Sequence, residues 1–248
     1  MNTIILCEGK IDAVLLGYYI DKVCGFRHTK GKIDKPFTVD LNKENAFFTW
    51  HIRGADRLAI WAIGGEGNFK AAIVEFFNAQ KKADDSSKYD QFALIRDRDT
   101  EMDEQSILNK YSEYFEDTNI TLKNNATRIG EYINSFSETK ELKTFALVIP
   151  KDKLGALETV LLDSIEEDEY DKSIAKKSNV FIKEIRIIAD KYIFSDRLEL
   201  KAKLSTVFAV KMPEKVFTFM DEMLTTTVKW EEKETLRELF KNLVNLFK

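Results

Sequence analysis

The chain has 248 residues, of which 44% are hydrophobic and 32% are charged, and its formal net charge is −4. This length is sufficient for a large buried core, and the composition is that of a globular protein. The near balance of acidic and basic residues excludes a nucleic-acid binder that depends on bulk positive charge. Any contact with nucleic acid therefore requires a local basic patch or a metal ion.

The cysteine content and the lack of long apolar segments limit the class of protein. Cys7 and Cys24 are too few for a disulfide framework or a cysteine zinc site, and two histidines exclude a histidine-rich metal site. We predict two reduced, buried thiols in a cytoplasmic protein. No stretch reaches the roughly 18 consecutive apolar residues of a membrane span. We expect no contact with a membrane, and no signal peptide, because no basic region precedes the first apolar run.

The first residues predict a strand, a turn and a helix. Residues 3–7 are an apolar run, Glu8 and Gly9 form the turn, and apolar residues at helical spacing follow from Ile11. Residues 26–55 contain Gly, Lys, Pro and Asn with short aromatic pieces. We interpret this part of the chain as an insertion that includes a hairpin.

The same order of elements recurs along the chain. The stretch DRLAIWAIGGEGNFKAAIVEFFNAQKK predicts a strand, a glycine turn and a helix, and QFALIRDRDTE predicts a third strand with a helix after it. A fourth strand is predicted at residues 144–149, before a proline turn and another helix. Continuous apolar strands that alternate with helices indicate an α/β fold, with a mainly parallel sheet flanked by helices.

After about residue 167 the strand signals stop. Residues 169–192, 196–211, 213–224 and 231–247 all have helical spacing. We therefore predict an α/β domain over residues 1–165, with the insertion at about 26–55. A helical C-terminal extension over residues 166–248 is expected to pack on that domain.

Acidic residues follow two of the predicted strands. Glu8 follows the first strand, and Asp97 and Asp99 follow the third. The carboxyl ends of parallel strands meet at one edge of a sheet, where ligands bind, so we expect the three side chains in one crevice. Carboxylates that cluster there are costly unless a cation balances them. Their hard oxygen atoms suit Mg²⁺ or Mn²⁺, which are typical of phosphate chemistry and hydrolysis.

The acidic run partly fits a calcium loop and a phosphatase motif, but the sequence departs from both. A calcium EF-hand loop that begins at Asp97 requires Gly at its sixth position and Glu at its twelfth, where this chain has Met102 and Leu108. An aspartyl-phosphate phosphatase requires Thr or Val where Glu101 stands. The alternative that stays open is that Asp99 or Glu101 merely caps the following helix.

The glycine turn and two arginines are candidates for phosphate binding. The turn GGEGNFK contains Gly64, Gly65 and Gly67, but it matches neither GxGxxG nor GxxxxGK[ST]. It either allows strand and helix to pack, or presents backbone N–H groups to a phosphate. Arg96 and Arg98 flank the first aspartate and either hold phosphates or neutralise their neighbours.

Two stretches, ILCEGKIDAVLL and ALIRDRDTE, resemble the two motifs of TOPRIM domains. The first motif has a hydrophobic strand, Glu-Gly and an Asp three residues later; the second motif is DxDxE. The matching positions are Glu8, Asp12, Asp97, Asp99 and Glu101. The resemblance covers about residues 1–165 and implies a Rossmann-like TOPRIM fold. Such domains occur in topoisomerases, primases, small RNA-maturation nucleases and the OLD-type nucleases of bacterial defence.

The resemblance also implies roles for individual residues. It implies that Glu8 is a metal ligand or general acid–base and that the acidic residues of both motifs belong to the metal site. The stretches IPKDKLGALETVLLDSI and LELKAKLSTVF further resemble standalone TOPRIM-like proteins related to OLD nucleases. That resemblance implies that Glu158 lies near a second metal and that Lys201 is a catalytic basic residue near the scissile phosphate, where it stabilises the negative charge that develops. For both residues the alternative is a solvated helix face.

The chain lacks the zinc ribbon of primases, the tyrosine-nucleophile domain of topoisomerases and the Walker A ATPase of full OLD proteins. The implied function is an Mg²⁺- or Mn²⁺-dependent nuclease that cleaves phosphodiester bonds of DNA or RNA in bacterial or phage defence. It would act alone or with a separately encoded protein. The alternative is a non-catalytic regulatory module that binds a metal or a nucleotide and acts with a protein partner.

Overall fold

The computed structural model describes residues 1–30, 36–39, 46–99, 103–116, 118–215 and 220–248. The chain divides into two compact units. The first consists of Met1–Arg96, Glu101–Val148 and Asn242–Lys248, and the second consists of Asp97–Thr100 and Ile149–Lys241. The predicted division into residues 1–165 and 166–248 stays a prediction.

Within the described residues, seven strands form one sheet. They are β1 (Asn2–Cys7), β2 (Arg27–Thr29), β3 (Phe47–Arg53), β4 (Asp56–Ala62), β5 (Gln91–Asp97), β6 (Ala126–Ile133) and β7 (Thr139–Ile149). Their order is β2-β3-β4-β1-β5-β7-β6. Strand β1 pairs in parallel with β4 and β5, whereas the pairs β2–β3, β3–β4 and β6–β7 are antiparallel. The predicted α/β class is confirmed, and the sheet is a mixed one with parallel strands at its centre.

The described helices are α1 (Lys10–Cys24), α2 (Phe69–Lys82), α3 (Glu104–Ser112), α4 (Leu157–Ile165), α5 (Glu169–Ile188), α6 (Asp196–Lys211), α7 (Met220–Thr226) and α8 (Glu234–Val244). Helices α5, α6 and α8 lie within the predicted helical segments 169–192, 196–211 and 231–247, so these predictions are confirmed. Helix α7 overlaps the end of the predicted segment 213–224, of which residues 216–219 lie outside the described residues. In the part of the chain that the structure describes, no helix is long and apolar enough to cross a membrane.

The central strands bury side chains on both faces of the sheet, and alternate positions of a strand share one face. In the first unit, Ile4 and Leu6 of β1 share one core cluster with Trp61 of β4 and Phe92 of β5, as expected because successive strand residues point to opposite faces. Helices α2 and α3 add aromatic residues to this cluster, such as Phe76, whose ring centroid lies 5.0 Å from that of Phe92. The central strands β1, β4 and β5 are therefore fixed by packing on this core.

The region predicted as an insertion extends the sheet. Its described residues include β2 and β3, and β3 pairs along its whole length with β4. A hairpin-like antiparallel pair is therefore present, but it forms one edge of the sheet. Residues 31–35 and 40–45 of this region lie outside the described residues.

Both cysteines are free thiols, as predicted. Cys7 is buried in β1, but Cys24 is only half-buried, so the prediction of two buried thiols is wrong for Cys24. Burial nevertheless raises the pKa of the Cys24 thiol. The difference arises because Cys24 is the last residue of α1, where the helix reaches the surface.

Candidate functional site

Asp97 is a buried carboxylate with two donors. It is the last residue of β5 and only 3% exposed. The Leu157 N–H, in the first turn of α4, donates to Asp97 Oδ1 at 2.9 Å, and the Arg197 guanidinium donates to Oδ2 at 2.9 Å. A helix N-terminus and an arginine both stabilise a nearby negative charge. Burial would otherwise disfavour the charged carboxylate.

Asp99 lies in a turn that the backbone fixes. Its φ is 52°, in the left-handed region that Asp tolerates better than most residues. The Asp99 N–H donates to the Gly155 carbonyl at 2.7 Å, and the Gly155 N–H donates to the Asp99 carbonyl at 3.1 Å. Gly155 has a φ of 136°, and a Cβ there would lie 2.4 Å from Thr159 Oγ1. Only glycine therefore fits at position 155, where the backbone forms the turn that holds Asp99.

Arg197 is the cation between the two aspartates. It lies in the first turn of α6, and one guanidinium nitrogen is 3.7 Å from Asp99 Oδ1 while the other donates to Asp97. The arginine therefore balances the repulsion from which the sequence analysis predicted a metal. Sequence reasoning missed Arg197 because the residue follows Asp97 by 100 positions and no local pattern connects the two.

A cavity of about 440 Å³ adjoins this cluster in the second unit. Its lining includes Asp99, Gly155, Thr159, Arg197 and Lys203. Lys203 forms an ion pair with Glu199 at 2.5 Å, and hydrogen bonds from Lys203 and Arg186 lower the pKa of Glu199. The cavity has the size of small-ligand sites and combines cations with carboxylates.

The two aspartates fit a divalent metal in part. Among the described residues, no group of three or more His, Cys, Asp or Glu side chains could hold a metal ion. Mg²⁺, however, is often held by one or two carboxylates and completes its shell with water and phosphate oxygens. Asp97 Oδ2 and Asp99 Oδ1 already converge on one cationic group. The donor chemistry fits Mg²⁺ or Mn²⁺ if the Arg197 guanidinium withdraws.

Glu8 and the glycine turn are joined in the first unit. Glu8 directly follows β1 and is 5% exposed. Its carbonyl accepts hydrogen bonds from the N–H groups of Gly64, at 3.1 Å, and Gly65, at 3.0 Å. These two donors thus link the ends of the parallel strands β1 and β4 rather than facing a phosphate. Gly67 lies in a short 3-10 turn. The metal or acid–base role of Glu8 stays a prediction.

Asp12 caps its own helix. Its Oδ2 accepts a hydrogen bond from the Gly9 N–H at 2.8 Å, at the start of α1. Such a bond satisfies one of the donors that a helix N-terminus leaves without an intrahelical partner. The structure therefore gives Asp12 a capping role, and its role as a metal ligand stays a prediction.

Arg96 and Arg98 have local partners. Arg96 is 7% exposed, forms an ion pair with Glu66, and lies with its guanidinium carbon 5.6 Å from the ring centroid of Tyr111. Arg98 is 4% exposed and donates to the carbonyls of Pro150, at 2.9 Å, and Lys151. Of the two predicted alternatives, the structure favours neutralisation for Arg96. For Arg98 it shows a third role, since this side chain holds the loop after β7.

The remaining candidates differ in burial. Glu158, in the first turn of α4, is 6% exposed, so the alternative of a solvated helix face is wrong for this residue. Lys201 is exposed on α6, four residues after Arg197. For Lys201 the solvated face is what the structure shows. Glu101 lies outside the described residues.

Comparison with known proteins adds information on the fold. No protein-family model matches the chain, and no curated protein does. A similar solved structure is the crystal structure of the hypothetical protein PH0156 from Pyrococcus horikoshii OT3. The two chains are 15% identical with a TM-score of 0.50, over 99% of this chain and 98% of the other. At this identity the likeness shows the α/β fold alone, and the chemistry has to be inferred from the site.

Proposed function

We propose that the protein is a metal-dependent phosphodiesterase that cleaves DNA or RNA, with Asp97 and Asp99 as carboxylates of the metal site. The observation that carries the proposal is that Asp97 Oδ2 and Asp99 Oδ1 lie 2.9 and 3.7 Å from the guanidinium of one residue, Arg197. Carboxylate oxygens are the ligands that Mg²⁺ and Mn²⁺ prefer, and two of them border the same cationic group here. The resemblance to TOPRIM motifs supports the same assignment.

The chain's own groups have distinct tasks in this proposal. Mg²⁺ or Mn²⁺, when bound, supplies Lewis-acid activation of the phosphodiester. The Leu157 N–H holds Asp97 Oδ1 and so leaves Oδ2 directed toward the shared cation. With a metal held by the aspartates, the Arg197 guanidinium would supply a cation for the phosphate. An arginine binds phosphate through two parallel hydrogen bonds and stabilises the charge that develops during cleavage.

A second candidate function is a regulatory module that binds a metal or a nucleotide without cleavage. The observation that favours it is that Arg197 lies within ion-pair distance of both aspartates. The second unit thus supplies a cationic partner for the two carboxylates from its own chain. Such a protein would act through a protein partner.

The decisive experiment measures nicking of supercoiled plasmid DNA and cleavage of labelled RNA, with Mg²⁺, Mn²⁺ or EDTA. We expect cleavage only with the metals, and a loss of at least about 100-fold in Asp97→Asn and Asp99→Asn. The matched control is Asp163→Asn, which removes a carboxylate from a surface ion pair with Lys153 at 2.6 Å. This control variant should cleave at the wild-type rate.

Calorimetric titration with Mn²⁺ separates the two candidate functions. Metal binding that both variants lose, without cleavage by the wild type, would favour the regulatory module. Cleavage that persists in Asp97→Asn and Asp99→Asn would contradict the proposed site. Absence of both binding and cleavage would leave Arg197 as the permanent partner of the two aspartates.

A further inference from the structure

Helix α5 carries a regular set of side chains on its solvent-facing side. Along the helix these positions alternate at spacings of four and three residues, which is the spacing of core positions in a coiled coil. We call this set the α5 seam; it consists of Tyr170, Ile174, Lys177, Phe181, Glu184 and Ile188. Tyr170, Phe181 and Ile188 are 82%, 50% and 78% exposed.

The other side of α5 is used within its own unit. Ala175, Ser178 and Ile182 are buried, and helices α5 and α6 are in contact. Ser178 Oγ donates to the Lys203 carbonyl of α6 at 2.9 Å. The α5 seam is therefore not needed to hold α5 in place, and its apolar residues face water.

Exposed apolar side chains are concentrated on this pair of helices. Eight large apolar side chains on α5, on α6 and between them are at least half exposed: Tyr170, Val180, Phe181, Ile187, Ile188, Tyr192, Phe194 and Val210. Tyr170, Phe181 and Ile188 belong to the α5 seam itself. Exposed apolar surface of this kind marks interaction sites.

A groove between α5 and α6 provides a place for a partner's side chains. Its volume is about 500 Å³, and its lining includes Tyr170, Ile174 and Phe181 from α5 with Thr206 and Val210 from α6. The groove thus continues the α5 seam onto the neighbouring helix. Large aliphatic side chains of a second helix would fill it.

We propose that a second copy of this chain docks on the α5 seam, with the two α5 helices antiparallel about a two-fold axis near Asn179. In this alignment Tyr170 faces Ile188 of the second copy, and Lys177 faces Phe181 of the second copy. The two-fold axis makes each of these contacts twice, as a closed dimer requires.

The charges on the α5 seam select this partner. In the antiparallel alignment Ile174 faces Glu184 of the second copy. Lys177, one helical turn after Ile174, therefore lies next to that carboxylate and forms an ion pair with it. The two-fold axis creates the same ion pair a second time. Both side chains are exposed, and neither forms an ion pair within the described part of the chain. The α5 seam is therefore self-complementary, because its lysine lies beside a glutamate of the second copy. These ion pairs set the register of the two helices, as charged positions do in coiled coils.

The experiment compares charge variants of the full chain by sedimentation equilibrium over micromolar concentrations. Lys177→Glu and Glu184→Lys each place like charges together at both symmetric positions. Each variant alone should dimerise about 10-fold more weakly than the wild type. An equimolar mixture of the two should recover the wild-type dimer, because opposite charges then meet at both positions. The matched control is Lys183→Glu, an exposed residue of α5 outside the seam, which should leave the dimer intact.

A stronger variant tests the apolar part of the seam. Phe181→Asp should give a monomer with an unchanged melting temperature at low concentration, because Phe181 is half exposed and lies outside the core of its unit. A wild type that stays monomeric at every concentration overturns the proposal. So does a dimer that Lys177→Glu, Glu184→Lys and Phe181→Asp leave unchanged, or a mixture that does not recover.

Discussion

Asp97 and His51 are equally buried, at 3% and 4% exposure, but the protein treats the two ionisable side chains in opposite ways. Asp97 has the Leu157 N–H and the Arg197 guanidinium as donors. His51, in β3, has no hydrogen-bond partner for either ring nitrogen among the described residues. Burial, together with the nearby His28, lowers its pKa to about 4.

The difference shows that burial alone does not decide whether a side chain keeps its charge. A carboxylate with two hydrogen-bond donors remains able to bind a cation. A buried imidazole without hydrogen-bond partners is uncharged and serves only in packing. His51 fits closely against α1, since a Cβ on Gly17 would lie 2.8 Å from the His51 ring. Asp97 is therefore a candidate for metal binding or catalysis, whereas His51 has a structural role in the packing of β3 against α1.

The largest effect is expected when Asp97 loses its side chain. Asp97→Ala removes the acceptor of the buried Leu157 N–H and one of the two carboxylates that Arg197 contacts, which should lower the free energy of unfolding by about 3–4 kcal/mol. Urea unfolding of the metal-free protein measures this. The comparison variant Asp163→Ala removes a surface ion pair and should lose about 0.5 kcal/mol. Equal losses would mean that the partners of Asp97 contribute nothing beyond a surface pair.

The second prediction concerns pH and His51. The pKa of His51 is about 4 in the folded protein, whereas an ordinary histidine in the unfolded chain has a pKa of about 6.5. Between these two pH values the unfolded chain therefore binds a proton at His51 that the folded protein does not. Stability should therefore be complete above pH 6.5 and fall as the pH drops through this window, by about 3 kcal/mol in total. The measurement is the free energy of unfolding in urea at several pH values between 7 and 4.

Two variants isolate the contribution of His51. In His51→Leu the part of the pH dependence that arises from this residue should disappear. The exposed His28→Gln should retain most of it, because burial is the larger cause of the lowered pKa. Identical pH profiles for the wild type and His51→Leu would contradict the assignment of a neutral ring without hydrogen bonds.

The sequence predicts the centre of the sheet well and its edges poorly. Strands β1, β4 and β5 are continuous apolar runs, which are typical of strands buried on both faces. Strand β6 has no such run: Ile129 and Ile133 are 68% and 64% exposed, and Gly130 and Glu131 separate Ile129 from Tyr132. Strand β6 pairs with β7 through a short turn at residues 134–138, where Asn134 Oδ1 accepts hydrogen bonds from the Phe136 and Glu138 N–H groups, but the strand has no apolar run by which to predict it.

The candidate site is predictable in part for the same reason. The aspartates follow an apolar strand, so their place at its end can be predicted. Arg197 is distant in sequence, and Asp12 fits both a family motif and a helix cap, so its sequence does not distinguish the two roles. Local patterns identify candidate ligands, but only the fold shows which partners they meet.

The third prediction separates the two roles of Asp12. Asp12→Ala removes the acceptor for the Gly9 N–H and should lower the free energy of unfolding by about 1 kcal/mol. Asp12→Asn keeps an oxygen at that place and should lose only a few tenths. Thermal melts of both variants, paired with Mn²⁺ titrations, provide the check. Loss of metal binding in Asp12→Asn with an unchanged melt would show that Asp12 is a ligand.

The smallest effect is expected at Lys201, which the family resemblance places near the phosphate but which is exposed on α6. Lys201→Gln should change the free energy of unfolding by less than about 0.5 kcal/mol, as is usual for surface substitutions.

The matched variant of Lys201→Gln is Arg197→Gln, one helical turn earlier. That change leaves Asp97 and Asp99 without their shared cation, so their repulsion should make the protein depend on a metal. The melting temperature of Arg197→Gln should therefore rise more on addition of Mg²⁺ than that of the wild type, whereas Lys201→Gln should respond as the wild type does. A larger Mg²⁺ response in Lys201→Gln than in Arg197→Gln would instead identify Lys201 as the cation that competes with the metal.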